Sequence, residues 1–574
     1  MRWLPPLLLF ALALGLRAVG LDALLPHWIE PDNVLTVQAD KIASGPREGS
    51  EADYYAAYPH LIGWILRALP EERGELGPQT ALDEHLARAS LPTLHPRWVV
   101  AALSALIAPA TWWLARALLP ASWSLLAALL ATTSLLHLSF SQQARPHAPL
   151  AAALALGVVA CLRLRRSPRA TSYLLAGLAS ALALGVLHSG VFVLPALLAA
   201  HLRRAGPRRA RDAWRLALPL VLVATSFVLF YPFFFEGRAW RSMSLQGSIF
   251  QGGTHEIDFS AFDGANAPVM FWGLAGYDPA LTVLAALGLA LLGLRIAWRA
   301  PRPANAGEAA HAALILAAAA VPYAVAFSLY HNTYHRFAAP LVPPLACLAA
   351  WGLSELSRLR APVGRWLALA LAAASLLLAG TVAARRVLLA SRPDTLELAA
   401  LWARDHLTAD QVLWLPPGTE LPVAYAEAAL EADLPETYMP HRYAWSRYQR
   451  EHALGPQVGP RLRVRLVPWL ARPVWQRVVS DAPGVLDELQ GDFLLCAAYS
   501  SDQPIRPLQV LRPLLSARGA PLFRCVPLER GDGLGRALLY QHEGSARNTL
   551  FLDVLRARHL GPAVEIYALS SAGR

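Results

Sequence analysis

Lysine is almost missing from this chain: Lys41 is the only one in 574 residues. Arginine takes its place, and the abundance of Ala, Leu and Arg reads as genomic base bias. Charge of any sign is also scarce. Charged residues make up 16% of the sequence, against about 25% in soluble domains, which excludes a chain solvated along its whole length. Cysteine is sparse too. Cys161, Cys347, Cys496 and Cys525 fit no zinc-binding spacing. The first two lie in apolar segments as packing residues. The last two leave two readings open: a disulfide in an oxidising compartment or two separate buried strand cysteines. No nucleotide-binding glycine loop and no hydrolase triad pattern appears in the last third, so that part is expected to bind or scaffold.

What the sequence has is apolar length. Hydrophobic residues make up 55% and the mean hydropathy is +0.36. A bilayer span takes about 20 mostly apolar residues. The first two-thirds supplies such stretches repeatedly, and the last third supplies none. The expected fold is a polytopic α-helical membrane protein of about eleven transmembrane helices, with a C-terminal soluble α/β domain. Residues 1–384 form the membrane domain, with a first outer loop at 21–96 carrying interfacial helices, and residues 385–574 form the α/β domain. The apolar run after Met1-Arg2-Trp3 reads as an uncleaved first helix, because more spans follow and no small-residue cleavage pattern precedes Asp22.

The net charge of +11 does not point to nucleic acid. Arginines cluster between apolar segments, at Arg163–Arg169, Arg203–Arg215, Arg295–Arg302 and Arg358–Arg365, where they act as topology signals. Placing all four clusters in the cytoplasm requires an even number of spans between neighbours. Hairpins turning near His188-Ser189-Gly190 and at Tyr330–Arg336 meet that condition, as do two spans between Arg215 and Arg295. Upstream, Trp98–Leu118 and Trp123–Phe140 form another pair, and Trp366–Ala383 carries the chain out. The N-terminus is then cytoplasmic and the C-terminal domain periplasmic, in a cell inner membrane.

Polar residues therefore gather at the outer face, where a reaction centre would be sought. The first outer loop contains Glu30-Pro31-Asp32-Asn33. An ionised Asp32 at the interface can accept a proton from a hydroxyl nucleophile or hold a divalent cation, with Glu30 as supporting acid; it can equally cap a short helix. Tyr54 to Leu66 is too short to span, and its aromatics suggest a helix lying in the interface. His60 there can donate to a phosphate or be satisfied by water. Arg145 with His147, and Arg336 with His331 and His335, form two compact cationic groups. Arginine binds phosphate through two parallel hydrogen bonds and keeps its charge; the alternatives are lipid headgroups or pairing with Asp32 and Glu30. Glu256, Asp258 and Asp263 read as a solvated loop.

Several segments in order carry a family resemblance: Pro31-Asp32, Tyr58-Pro59-His60-Leu61, Gln143-Ala144-Arg145-Pro146-His147, His335-Arg336-Phe337 through Pro343, and Pro393-Asp394 through Trp402. The chain resembles the bacterial branch of the dolichyl-phosphate-mannose–protein mannosyltransferases, related to the aminoarabinose transferases, which are membrane glycosyltransferases of the GT-C fold. The resemblance implies transfer of a sugar from a polyprenyl-phosphate carrier to an acceptor hydroxyl on lipid, glycan or protein. It places Asp32 at the acceptor oxygen or a metal ion, and Arg145 and Arg336, with His60, His147 and His335, at the carrier phosphate. Where the family has Asp followed by Glu, this chain has Asn33, a weaker metal ligand that cannot act as a base. A turn that often bears lysine in relatives is Leu187-His188-Ser189-Gly190, with His188 as a substitute cation or a helix cap. Two other readings stand beside this one: a transporter or flippase of lipid-linked sugars, and a catalytically impaired scaffold of the same fold.

Overall fold

The computed structural model describes residues 3–25, 35, 59–68, 82–204, 213–231, 262–297, 306–330, 333–358, 362–416, 419–433, 461–467, 477–478, 480–489, 491–498, 506–529, 538 and 550–569. Glu30, Asp32, Asn33 and His331 lie outside the described residues, as do Glu256 and Asp258.

Helix α1 (Leu4–Ala18) starts on Pro5 and Pro6, where a missing N–H costs nothing. It ends in an extended Val19, followed by Gly20 at φ +73°, where a Cβ would overlap the Ala390 side chain. Helix α2 (Leu61–Ala68) overlaps the stretch from Tyr54 to Leu66 in which a short helix is expected. Among the described residues, five helical stretches are long and apolar enough to cross a membrane: Thr93–Arg116, His147–Arg166, Gly307–Leu329, His335–Leu356 and Val363–His406. Two bent pairs raise that number to seven. Shorter apolar helices include Leu4–Ala18, Ala170–Val186, His188–Leu202 and Trp214–Phe230. The chain is a multi-pass membrane protein.

The span expected over Trp123–Phe140 is not one straight helix. It is broken into α3 (Ala121–Thr132) and α4 (Leu135–Ser141), bent by 50°. Thr132 and Thr133 turn their hydroxyls back onto Ala128 and Leu129 carbonyls, and Ser134 then caps a new helix by accepting from the His137 N–H. Helix α5 (His147–Arg166) follows. The second break separates α6 (Ala267–Ala275) from α7 (Pro279–Ala297) by 111°. Pro279 causes it, because proline disfavours helix at the residue before it and lacks the N–H a continuing helix needs. The turns expected at His188–Gly190 and before Arg336 are both present, as 3-10 segments His188–Phe192 and His335–Leu341. Helix α8 (Val363–Ala390) outruns the span expected at Trp366–Ala383.

Some arginines read as topology signals also make ion pairs between helices. Arg165 at the end of α5 grips Glu308 through two bonds of 2.5 and 2.6 Å. Arg295 on α7 reaches Glu355 at 2.6 Å, and Arg358 shares that carboxylate. His147 opens the helix that Arg165 closes, about 27 Å away at 1.5 Å rise per residue, close to the thickness of a bilayer's hydrocarbon core. The ion-paired ends and the His147 end are thus opposite ends of these helices.

Beyond α8, Asp394 caps α9 (Thr395–His406) in a capping box with Glu397, as the Asp-Thr start predicts. A five-stranded sheet follows, from β1 (Val412–Leu415), β2 (Arg463–Leu466), β3 (Phe493–Ala498), β4 (Phe523–Cys525) and β5 (Ala563–Ala568), in the order β2-β1-β3-β5-β4. β1 runs parallel to β2 and β3, while β5 runs antiparallel to β3 and β4. The sequence itself reads as strand at Gln411–Leu415, Asp492–Ala498 and Ala563–Leu569, where β1, β3 and β5 lie; β2 and β4 lie outside those stretches. Cys496 and Cys525 are free. They sit on strands that flank β5, about two strand spacings or 9.5 Å apart, beyond disulfide reach.

Late in the chain, α10 (Leu550–Arg556) turns back to the membrane helices. Leu550 and Val554 join the same apolar core as Val382 and Leu389 of α8. The Phe551 N–H donates to the Gly276 carbonyl at 3.0 Å, and Arg385 donates to the Ala557 carbonyl at 2.6 Å.

Candidate functional site

The His335–Leu341 turn is the scaffold of the site. Pro340 prevents a regular helix there, and Pro343 starts the next one. The Tyr323 hydroxyl donates to the Phe337 carbonyl at 2.9 Å, and the Phe337 ring packs 4.9 Å from Phe327. The Arg336 guanidinium lies 4.3 Å from the centre of the Tyr334 ring and 5.3 Å from that of Phe337. Two aromatic faces therefore hold a cation that is only 8% exposed, in a cation–π arrangement that desolvation strengthens. His335 is fully buried and meets the Tyr277 ring edge-on at 5.8 Å. Gly273 lets α6 come close: a Cβ there would stand 3.3 Å from the His335 carbonyl.

The second strip runs from α4 into α5. The Arg145 N–H donates to the Gln143 carbonyl at 2.7 Å, and the Gln142 amide donates to the Val19 carbonyl at 2.9 Å, tying this loop to the end of α1. His137 ties it again. Its Nε2 meets the Ala148 carbonyl at 3.1 Å and its Nδ1 meets Arg17 at 2.9 Å. A carbonyl only accepts and a guanidinium only donates, so the proton sits on Nε2 and the imidazole is neutral.

His147 is where the two strips meet. Its ring is 5.0 Å from Phe337, the ring that also lies 5.3 Å from the Arg336 guanidinium, and Arg145 stands two residues before it. The structure thus brings Arg145, His147 and Arg336 together, with His335 on the same turn. His188 opens the 3-10 segment that Leu187 caps. His147 Nδ1 and the side-chain oxygens of Gln142 and Gln143 are buried with no hydrogen-bond partner among the described residues. Such groups normally find one, so these atoms remain open to a polar partner. His60 is placed against helix Ala213–Phe230: its N–H donates to the Phe230 carbonyl at 2.9 Å, and Trp64 packs 5.4 Å from the Phe230 ring.

The described residues on either side of Glu30 and Asp32 are anchored. Fully buried Arg97 donates to the Leu21 and Ala23 carbonyls at 2.7 and 2.8 Å. Leu24 sits at φ +64° and is buried, a conformation a non-glycine residue keeps only when its surroundings hold it. Leu35, three residues after Asp32, is part of the membrane core. Among the described residues no group of three or more His, Cys, Asp or Glu is arranged to hold a metal ion.

Sequence reasoning missed Asp278. Its carboxylate accepts from the Ser134 hydroxyl at 2.5 Å and from the Leu135 and Leu136 N–H groups at 2.7 and 3.3 Å. The available signal was an Asp-Pro pair inside an apolar run, since ionisable residues within membrane segments are functional candidates by default.

Residues 74–238 match the family model of dolichyl-phosphate-mannose-protein mannosyltransferase. No curated protein sequence matches the chain. Among solved structures, ArnT from Cupriavidus metallidurans bound to undecaprenyl phosphate is similar at a TM-score of 0.43 and 16% identity, over 99% of each chain. An oligosaccharyltransferase from Archaeoglobus fulgidus is similar at 0.45 and 13% identity, over 86% of this chain and 69% of that one. The arabinofuranosyltransferase AftD from Mycobacteria is similar at 0.39 and 18% identity, over 99% of this chain and 41% of that one. The resemblance to the mannosyltransferase family read from the sequence is thereby shown over residues 74–238.

Proposed function

We propose that this chain is a glycosyltransferase of the inner membrane that moves a sugar from a polyprenyl-phosphate carrier to an acceptor hydroxyl on its outer face. The observation that carries the reading is the convergence of Arg145 and Arg336 at His147, whose ring packs on the same Phe337 that lies under the Arg336 guanidinium, at the helix ends opposite the Arg165–Glu308 pair. A partly desolvated cluster of fixed cations suits a phosphate ester whose negative charge grows as the glycosidic bond breaks. In this reading Arg145 and Arg336 hold the carrier phosphate, with His147 and His335 lining it and His60 as an outlying donor. The acceptor oxygen attacks the anomeric carbon, its proton passes to the Asp32 carboxylate, and the carrier leaves as polyprenyl phosphate with the bonding pair. A divalent cation, if held by Asp32 and Glu30, would supply further charge stabilisation there.

The topology belongs to the same proposal. The chain crosses about eleven times if the shorter apolar helices span as well, with the N-terminus cytoplasmic and residues 385–574 periplasmic. The test is transfer from a labelled polyprenyl-phosphate sugar in proteoliposomes. Asp32→Asn and Arg336→Ala each abolish transfer while inserting normally; full activity in either would sink the assignment.

A further inference from the structure

Asp278 takes no part in the proposed chemistry, yet it joins both helix breaks. Its carboxylate holds Ser134, Leu135 and Leu136 at the start of α4. Its carbonyl accepts from both the N–H and the hydroxyl of Thr282, each at 3.0 Å, at the start of α7. Its neighbour Tyr277 packs on His335 at 5.8 Å and on Phe140 of α4 at 6.0 Å. One residue further back, Gly276 accepts the Phe551 N–H from α10. Two breaks, the His335 turn and the C-terminal segment therefore meet around residues 276–278.

What α4 carries makes this consequential. It is seven residues long, far below the length at which a helix persists alone in water, and its leading N–H groups need acceptors. Ser134 supplies one, to His137; Asp278 supplies those of Leu135 and Leu136. The helix then runs straight into Gln142, Gln143, Arg145 and His147. We infer that Asp278 is a positioning residue: by fixing the first turn of α4 and, through Tyr277, the His335 turn, it sets Arg145 and His147 against Arg336. The inference rests on the proposed function only for what the site holds; the positioning itself concerns the protein without ligand.

The test uses the full chain in lipid nanodiscs, with Asp278→Asn and the milder Ser134→Ala. Amide hydrogen exchange is read without ligand, and binding is read with undecaprenyl phosphate. The expected result is exchange faster by about tenfold or more from Leu135 through Arg145 to Ala148, with affinity for undecaprenyl phosphate lower by about five- to tenfold. The anchors His137–Ala148 and Gln142–Val19 give the contrary outcome its meaning. Faster exchange confined to Leu135–His137 would show that these anchors alone place Arg145, and would overturn the inference. Should Asp278→Asn fail to fold, the same two exchange patterns in Ser134→Ala decide. If exchange spreads to Ala148 while neither Asp278→Asn nor Arg336→Ala alters binding, the positioning stands and the carrier reading falls.

Discussion

Arg17 and His137 form a fully buried hydrogen bond of 2.9 Å, which joins the end of α1 to the segment that carries Arg145. Arg17 also returns a bond of 2.8 Å to the Ala13 carbonyl, so His137 takes the guanidinium's long-range bond and passes the tie on to Ala148. The start of the Asp32 loop and the cationic loop are therefore braced by one chain of hydrogen bonds.

His137→Leu keeps most of the volume and removes the acceptor. A lost hydrogen bond to a charged group costs about 1.5–3 kcal/mol, and the unfolding midpoint in detergent should fall accordingly. Leu289→Ala, at a position 57% exposed on α7, should leave the midpoint near the wild-type value. An unchanged midpoint for His137→Leu would show that the brace carries no load.

Glu565 gives the C-terminal sheet an acid-sensitive element. Burial works to raise its carboxyl, but the Arg512 and Tyr567 hydrogen bonds and the Arg524 contact prevail and hold it below the usual carboxylate range. The unfolded chain therefore binds this proton more readily than the folded one. The stabilisation is present at neutral pH and is lost as pH falls below about 4.3, the unfolded value, through the lower folded one. Glu565→Gln should lower stability at pH 7 and flatten that acid loss, as measured by chemical unfolding across pH. A slope identical to wild type would contradict the assignment.

The two thiols of the sheet should stay reduced and slow to react. Burial pushes the Cys525 thiol up to about 11 and Cys496 further still, so little thiolate exists at neutral pH. Native alkylation should label Cys525 slowly and Cys496 hardly at all, and intact mass should not change with reductant. A mass loss of two hydrogens reversed by reductant would show a bridge that the β5 strand between them forbids.

The elements most legible in the sequence are those written in local signals. Asp394 and Glu397 spell out the capping box of α9, and a short apolar run ended by Pro416-Pro417-Gly418 marks β1. Arginine placement located the hairpins at His188 and before Arg336, because charge near span ends is read by the membrane rather than by tertiary contacts. Arg145, His147 and Arg336 were nameable individually, since few residue types bind phosphate. Their meeting at His147 was not, because it depends on how the helix from Val342 packs beside α5. The break at Ser134 was hidden for a similar reason. Residues 123–140 are apolar enough to span without interruption, and the partner that makes a new helix start affordable, Asp278, is far away in sequence. Arg17 and Arg97 look like ordinary span-end arginines and prove to be fully buried ties.

The central claim is that Arg145 and Arg336 serve one phosphate, and a double-mutant cycle on undecaprenyl phosphate affinity tests it most directly. Arg145→Ala and Arg336→Ala are each expected to weaken binding by about tenfold or more. The double variant should lose clearly less than the two losses combined, because residues sharing a partner do not act additively. Wild-type affinity in either single variant, or strict additivity in the double, would contradict the account.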